Sequence, residues 1–402
     1  MLFQHNILLT TSLITKKFVI APRITIVVIV HILKYSLIFL INSLSLLHLL
    51  NLAICNSGQH REMINDTFRD FNIVPNFSLD VMTPGQSLAV LSSRLFSAVD
   101  ALFEKENPNW VLVQGDTTTV MISALCAFYR GIKIGHIEAG LRTFDKHAPF
   151  PEEVNRQVVT RVADLHFAPT RYSYANLIRE GIDPDSVFVT GNTVIDALMW
   201  VQGFLKDKPY YLHDDIRKAL EKRNRIILVT GHRRENFGHN LEEICHAVRR
   251  LADDYKDCLF VFPEHLNPNV QIPVTKILGN HERVLILNPQ SYLRFQSILS
   301  VSYLVLTDSG GIQEEAPALG KPVLVMRDVT ERPEGIKTGC ARLIGTNAND
   351  IYNGVSKLLD DSIQYAEMSK AQNPYGHGHS AERICDAVMR ASGYEIKRRD
   401  RL

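Results

Sequence analysis

The stretch YLVLTDSGGIQEEAPALGKPVLVM, residues 303–326, reads as strand, glycine turn, helix and strand. Its ends are short apolar runs. Between them, Ser309, Gly310 and Gly311 stand where a helix should begin, with Glu314 and Glu315 in its first turn. Backbone N–H groups at such a start, together with the helix dipole, favour an anion such as phosphate. One of the two glutamates could accept hydrogen bonds from a ribose diol, as acids do in dinucleotide-binding folds. A capped helix start with ordinary first-turn acids would carry the same letters. The stretch therefore decides a β–α–β unit and leaves its ligand open.

The same unit recurs along the chain. Further strand candidates are WVLVQ (110–114), IKIGHIE (132–138), DLHFAP (164–169), SVFVTG (186–191), RIILVTG (225–231), CLFVFP (258–263), RVLILNP (283–289) and ARLIG (341–345). Segments suited to helices separate them. TTTVMISALCAFYRG runs from a threonine-rich start to Gly131, a plausible glycine just past a helix end. NLEEICHAVRRLADDY places Ile244, Val248 and Leu251 on one face after an asparagine cap. Such alternation predicts parallel sheets covered by helices on both faces. The strands are too many for one open sheet to be the better choice. Two doubly wound α/β halves are expected, joined near GNTVIDAL (191–198).

Polar clusters fall just after the strands. GDTTT (115–119), EAGLR (138–142), GHRREN (231–236), PEHLNPN (263–269), DSGGIQEE (308–315) and RDVTERPE (327–334) all do so. Ligands of open α/β sheets bind outside those carboxyl ends, so one cleft between the halves is expected. In GHRREN, His232, Arg233 and Arg234 could stabilise a departing diphosphate without a metal, and Arg332 is a further candidate. A solvated basic loop would look alike. In GHIEAGLRTFDKHAPFPEEVNR (135–156), Glu138 follows one strand, as Asp116 follows its neighbour. Glu152 follows Pro149 and Pro151, which would hold it on a fixed loop. Each acid alone fits a cap or an arginine pair. Together, beside histidine and arginine, they suit acid/base work on a phosphate-bearing substrate. There is no P-loop, no G-x-G-x-x-G, no H-E-x-x-H and no acid triplet with metal-ligand spacing.

Composition narrows the class. The 402 residues carry 44 Lys+Arg against 43 Asp+Glu, so no electrostatic bias calls for nucleic acid. The six cysteines, at 55, 126, 245, 258, 340 and 385, form no C-x₂-C pair and read as reduced packing residues of a cytoplasmic protein. Residues 1–57 differ from the rest: they hold no Gly, Asp or Glu, and their charges are Lys16, Lys17, Arg23 and Lys34. Residues 35–55, YSLIFLINSLSLLHLLNLAIC, are uncharged and long enough to span a bilayer.

VQGDTTT, GHIEAGLRT, PFPEEVNR, GNTVIDAL, VTGHRREN, HLNPNV, LTDSGGIQEEAPALGKPVLVMRDVTERPE and NPYGHG occur in this order. They resemble the non-hydrolysing bacterial UDP-N-acetylglucosamine 2-epimerases, from about Asn56 to about Ala391. The resemblance implies a GT-B-type fold of two Rossmann-like domains with a cleft between them. Its expected parts are an atypical segment 1–54, an N-terminal domain 55–191, a UDP-binding domain 192–372, and residues 373–402 as a C-terminal helix returning to the first domain. It also implies a cytoplasmic homodimer with no cofactor and no obligatory metal. The implied activity interconverts UDP-GlcNAc and UDP-ManNAc for cell-surface polysaccharide synthesis. The sugar C2–H is not beside a carbonyl, so the family breaks C1–O first. UDP leaves, a carboxylate takes the C2 proton, and UDP adds back to 2-acetamidoglucal after protonation from the other face.

By resemblance, Asp116, Glu138 and Glu152 are the acid/base and oxocarbenium-stabilising candidates, with His232 in the catalytic set. Arg156, Gln290, Phe295, Ser309, Gly310, Gly311, Glu315 and Arg332 fall to UDP. Of these, Arg156 would brace the acidic loop, Glu315 would hold the ribose, and Gln290 and Phe295 the uracil. Gln59, Gln86, Arg233 and His265 match positions that bind a second, activating UDP-GlcNAc.

The start departs from the pattern. The family opens with a strand and a GTRPEAIK-like phosphate loop; here the first matching residues are CNSGQHREM, 55–63. One reading is an inner-membrane anchor over about residues 35–55. The other, favoured because the pattern resumes in mid-domain, is a disrupted reading frame rejoining near Ala53–Cys55. On that reading the first half lacks its central strand, and the chain is poorly soluble and nearly inactive. The competing functions are a hydrolysing epimerase releasing UDP and ManNAc, a glycosyltransferase of the same fold, and an inactive nucleotide-sugar-binding remnant.

Overall fold

The computed structural model describes residues 24–30, 50–58, 73–83 and 85–394. Among them, thirteen strands form two sheets, and every strand pair is parallel. The first sheet comprises β1 (Ile24–Val30), β2 (Leu50–Asn56), β3 (Phe77–Ser78), β4 (Trp110–Gln114), β5 (Lys133–Ile137), β6 (Leu165–Ala168) and β7 (Val187–Val189), in the order β3-β2-β1-β4-β5-β6-β7. The second comprises β8 (Arg225–Thr230), β9 (Cys258–Pro263), β10 (Val284–Leu287), β11 (Leu304–Thr307), β12 (Val323–Val325) and β13 (Ala341–Leu343), in the order β10-β9-β8-β11-β12-β13. Both orders reverse direction once, between β1 and β4 and between β8 and β11. These are the crevices where open α/β sheets place ligands. Every residue of β4 and of β11 is buried, as strands covered on both faces must be. The two doubly wound halves expected from the sequence are present.

One expectation is corrected. The first half was expected to lack its central strand, yet β1 is that strand. It lies between β2 and β4, with Ile24 opposite Leu50 and Ile26 opposite Trp110. Ile26, Val27, Val28 and Ile29 have no exposed surface. A central strand needs β-branched residues on both faces, which ITIVVIV supplies. No glycine loop of the kind the resemblance implies follows it, since residues 1–57 hold no glycine. Residues 31–49, which follow it, lie outside the described residues, and so does most of the 35–55 run. Residues 50–56 are β2, so that run does not continue as a single span. No helix among the described residues is long and apolar enough to cross a membrane.

Two local readings also shift. Helix Thr118–Tyr129 does end before Gly131, whose φ is 68°. Helix His239–Asp254, however, starts at Gly238, so Asn240 lies inside it and is not the cap; Ile244, Val248 and Leu251 are buried on its inner face. Glu152 opens helix Glu152–Val162 and does not sit on the preceding loop.

The chain crosses from the first sheet to the second through Gly191, Asn192 and helix Thr193–Leu205. It returns at its end. Helix Ser380–Ala391 packs Ile384 and Val388 into a core containing Ile26, Val28, Leu112 and Phe167 of the first sheet. Asp196 accepts hydrogen bonds from the N–H groups of Ser380 and Ala381, at 3.1 and 2.9 Å, satisfying open donors of that helix. At its other end Trp110 Nε1 donates to Ser392 Oγ at 2.9 Å.

Candidate active site

β4 and β5 end side by side, and each delivers one acid. Gly115 turns the chain after β4 with φ 84°, a conformation that suits a residue without Cβ. Asp116 follows it. Arg156, from helix Glu152–Val162, reaches across with Nε and Nη2 at 2.9 and 2.8 Å from Asp116 Oδ2. Its Nη1 holds Glu153 Oε2 at 2.7 Å. Glu153 is fully buried and also accepts the N–H groups of Thr143 and Phe144, at 3.0 and 3.2 Å. Burial alone would raise its pKa. The bonds from Thr143, Gln157 and Phe144, with the Arg156 charge, outweigh that and hold the carboxyl below its ordinary value. Glu152, the residue before it, is half-buried at the helix start, where the dipole favours acids.

After β5 comes Glu138, buried, with left-handed backbone at φ 64°. Few non-glycine residues adopt this conformation. A Cβ at Gly115 would lie 3.3 Å from Glu138 Oε2, so the two acidic turns are in contact.

Glu138 connects to the second half through polar side chains. Asn192 Nδ2 lies 3.2 Å from Glu138 Oε1 and 2.5 Å from Glu314 Oε2. Arg332 Nε reaches Glu314 Oε1, and its Nη1 reaches Glu331 Oε1, both at 2.5 Å. Glu331 also meets Arg327 at 2.9 Å and Arg233 at 3.6 Å. Burial disfavours charge on Arg332, but Glu314 and Glu331 outweigh it and keep the guanidinium firmly protonated. Burial likewise opposes charge on Glu331, and Arg332 and Arg327 overcome it, pulling its pKa down. The Arg332 guanidinium lies directly against Gly310: a Cβ there would come within 2.5 Å of Nη1.

A second polar centre sits at the β8/β11 crevice. Asp308, fully buried, follows β11 and accepts the backbone N–H groups of His232 and Arg233, at 3.0 and 2.9 Å, and Asn236 Nδ2 at 3.0 Å. It thereby fixes the loop after β8. The His232 ring lies 3.4 Å from Asp308 and stacks on His265, with centroids 5.6 Å apart. Burial lowers its pKa, Asp308 opposes this, and His265 and Arg233 add to the lowering; the net shift is downward. Ser309 N–H is bonded to Thr307 Oγ1 at 2.9 Å. Glu315 is buried and accepts from Gln296 Nε2.

The structure thus links Asp116, Glu138, Arg156, Gly310, Arg332, Arg233, His232 and His265 into one connected set across both crevices. Ser309, Gly311 and Glu315 lie on the turn and helix beside Gly310. Gln290 and Phe295 follow β10: Gln290 Nε2 bonds Asn288 O at 2.6 Å, and Phe295 packs in the core of the second sheet on helix Tyr292–Val301, whose Gln296 bonds Glu315. Gln86 lies far along the chain in a surface group with Thr83 and Arg94. Gln59 is outside the described residues. Sequence reading offered Glu314 only as an alternative to Glu315 for the ribose, and did not single out Asn192, Glu153, Glu331 or Asp308. These four were inside quoted motifs, and their only signal was a polar residue in or beside a stretch already chosen. Among the described residues no group of three His, Cys, Asp or Glu is placed to hold a metal ion.

Comparison with known proteins agrees with this geometry. Residues 45–389 match the family model described as UDP-N-acetylglucosamine 2-epimerase. The chain is 47% identical over 342 residues to the UDP-N-acetylglucosamine 2-epimerase of Yersinia pestis, covering 83% of this chain and 90% of that one. The corresponding Escherichia coli K12 protein is 46% identical over the same shares. The UDP-GlcNAc 2-epimerase of Neisseria meningitidis, solved bound to UDP-GlcNAc, superposes with a TM-score of 0.85 at 38% identity, over 91% of this chain and all of that one. The S. aureus MnaA–UDP structure gives 0.85 at 42% identity, over 92% and 97%. A match of this extent, falling on the residues that build the cleft, places the chain in the UDP-N-acetylglucosamine 2-epimerase family.

Proposed function

We propose that this chain interconverts UDP-GlcNAc and UDP-ManNAc without hydrolysis, by elimination and re-addition of UDP. The observation that carries the reading is the placement of Asp116 and Glu138 at adjacent strand ends, joined through Asn192 and Glu314 to Arg332 and Gly310. One side of the joint offers carboxylates for C2–H and C1; the other offers cations for a leaving diphosphate. Relatives solved with UDP-GlcNAc or UDP support the same ligand here.

In this reading the diphosphate contacts Arg332, His232 and the Ser309-Gly310-Gly311 turn, and Glu315 holds the ribose. As C1–O breaks, positive charge grows at C1 beside the carboxylates. One of Asp116, Glu138 and Glu152 then takes the C2 proton, and another returns a proton to the opposite face. Arg156 holds the Asp116 carboxylate in place through Nε and Nη2. The expected assay is direct: purified protein with UDP-GlcNAc yields UDP-ManNAc, and in heavy water deuterium enters C2. Free ManNAc with UDP would identify a hydrolysing epimerase instead. UDP binding without turnover would identify a binding remnant.

The protein is proposed to act in the cytoplasm, a setting supported by six free, buried cysteines. A homodimer is proposed too. Phe128 and Tyr129 are 55% and 70% exposed, with Leu88 and Val90 exposed on the adjoining helix Leu88–Glu106, and such apolar exposure marks a contact surface. Sedimentation at assay concentration tests it: a monomer there would refute the dimer.

A further inference from the structure

His136 is fully buried on β5, and none of the chemistry above uses it. Its Nε2 lies 2.8 Å from the carbonyl oxygen of Gly115. A carbonyl can only accept, so Nε2 is the donor and the tautomer is defined. The other nitrogen, Nδ1, is buried with no hydrogen-bond partner, as fits the unprotonated nitrogen of a neutral ring. Burial pushes the pKa down to about 4, so the ring stays neutral across the physiological range.

Gly115 is therefore held at both ends of its residue. Its N–H donates to Ile137 O at 3.0 Å, and its carbonyl receives His136. Asp116 is the next residue, and Glu138 lies two positions beyond His136, just past the end of the neighbouring strand β5. We infer that His136 is a positioning residue: by fixing the Gly115 carbonyl, it keeps the Asp116 turn in register with the Glu138 turn. The inference rests on the proposed roles of those two acids. It predicts that the donor, and not merely a filled space, matters. Acid/base geometry is sensitive to displacements of about 1 Å, which can cost on the order of 100-fold in rate.

Three variants test this. His136→Leu fills the site without a donor. His136→Gln carries an amide N–H about as far out as Nε2, whereas His136→Asn ends near Nδ1 and falls short. Expected for His136→Leu and His136→Asn is a fall in kcat of about 10- to 100-fold, with KM for UDP-GlcNAc and Kd for UDP within about 3-fold of wild type. His136→Gln should recover most of kcat at the same thermal stability. Unchanged kcat in His136→Leu overturns the proposal. So does a loss of kcat in all three that follows their loss of stability, or failure of all three to fold, since His136 would then be holding the sheet and not the turn. Wild-type protein making no UDP-ManNAc would instead refute the functional reading, a different result.

Discussion

Gly310, Glu153 and the three candidate acids each support a separate test. The acids come first. Asp116→Asn, Glu138→Gln and Glu152→Gln should each lower turnover by roughly 10²–10⁴ with the fold intact; near-normal turnover in all three removes the mechanism. Gly310→Ala puts a Cβ within 2.5 Å of Arg332 Nη1 and must displace that guanidinium. UDP affinity should fall about tenfold, equivalent to about 1.4 kcal/mol, as read by titration calorimetry. Glu153 gives a pH test. Its carboxyl sits below its ordinary value of 4.5, so it stabilises the fold where it is ionised, and that contribution drains away as pH falls through the lowered folded value. Glu153→Gln should therefore be least stable, relative to wild type, near about pH 7, and the gap in urea unfolding should narrow by about pH 3.5. An equal gap at both would show that the ionised carboxylate is not the source. Legibility at this scale was uneven. Asp116 and Glu138 were readable because strand ends announce themselves. Between Glu152 and Glu153, adjacent identical letters, only the phase of a helix decides which is buried, and no residue pattern announced that phase. Asp308 and Asn192 act through long-range contacts, 76 and 122 positions away in sequence, which local spacing cannot reveal.

Strands were the most legible elements, and β1 shows the limit. ITIVVIV carries as strong a strand pattern as WVLVQ, although the glycine loop expected after such a strand is missing from the sequence. Burial on both faces, not the loop, makes the strand. This gives a decisive substitution. Val28 lies at 0% exposure in the middle of β1, opposite Ile54 and Leu112. Val28→Lys would bury an unpaired charge and should abolish soluble, folded protein, monitored by circular dichroism and size exclusion. Wild-type behaviour in that variant would mean residues 24–30 do not belong to the sheet, and would revive the reading of a missing strand. Helix starts were less readable. Asn240 looked like a cap, but Gly238 takes that place because its φ of 79° is one that glycine reaches easily.

At the scale of the whole molecule, polar bonds join the halves: Asn192 to Glu314, and Thr170 Oγ1 to Glu334 Oε1 at 2.5 Å. A ligand spanning both halves should add to them. UDP at about 100 times its Kd should stabilise the native state by about 2.7 kcal/mol, seen as a higher thermal midpoint. No rise at that excess would argue against a folded UDP site. The return of helix Ser380–Ala391 to the first sheet has a further consequence, for how the protein is made. Trp110 waits for Ser392 across 282 positions. At about 5–20 residues per second, the ribosome adds that partner on the order of 14–56 s later. For most of that interval, from the completion of β7 at Val189 onward, the first half has its strands but not the helix that covers Ile26, Val28 and Phe167. The opening half of the chain is thus the last part to be sealed, and until then its bare apolar face is the kind of surface that makes a folding chain prone to aggregate.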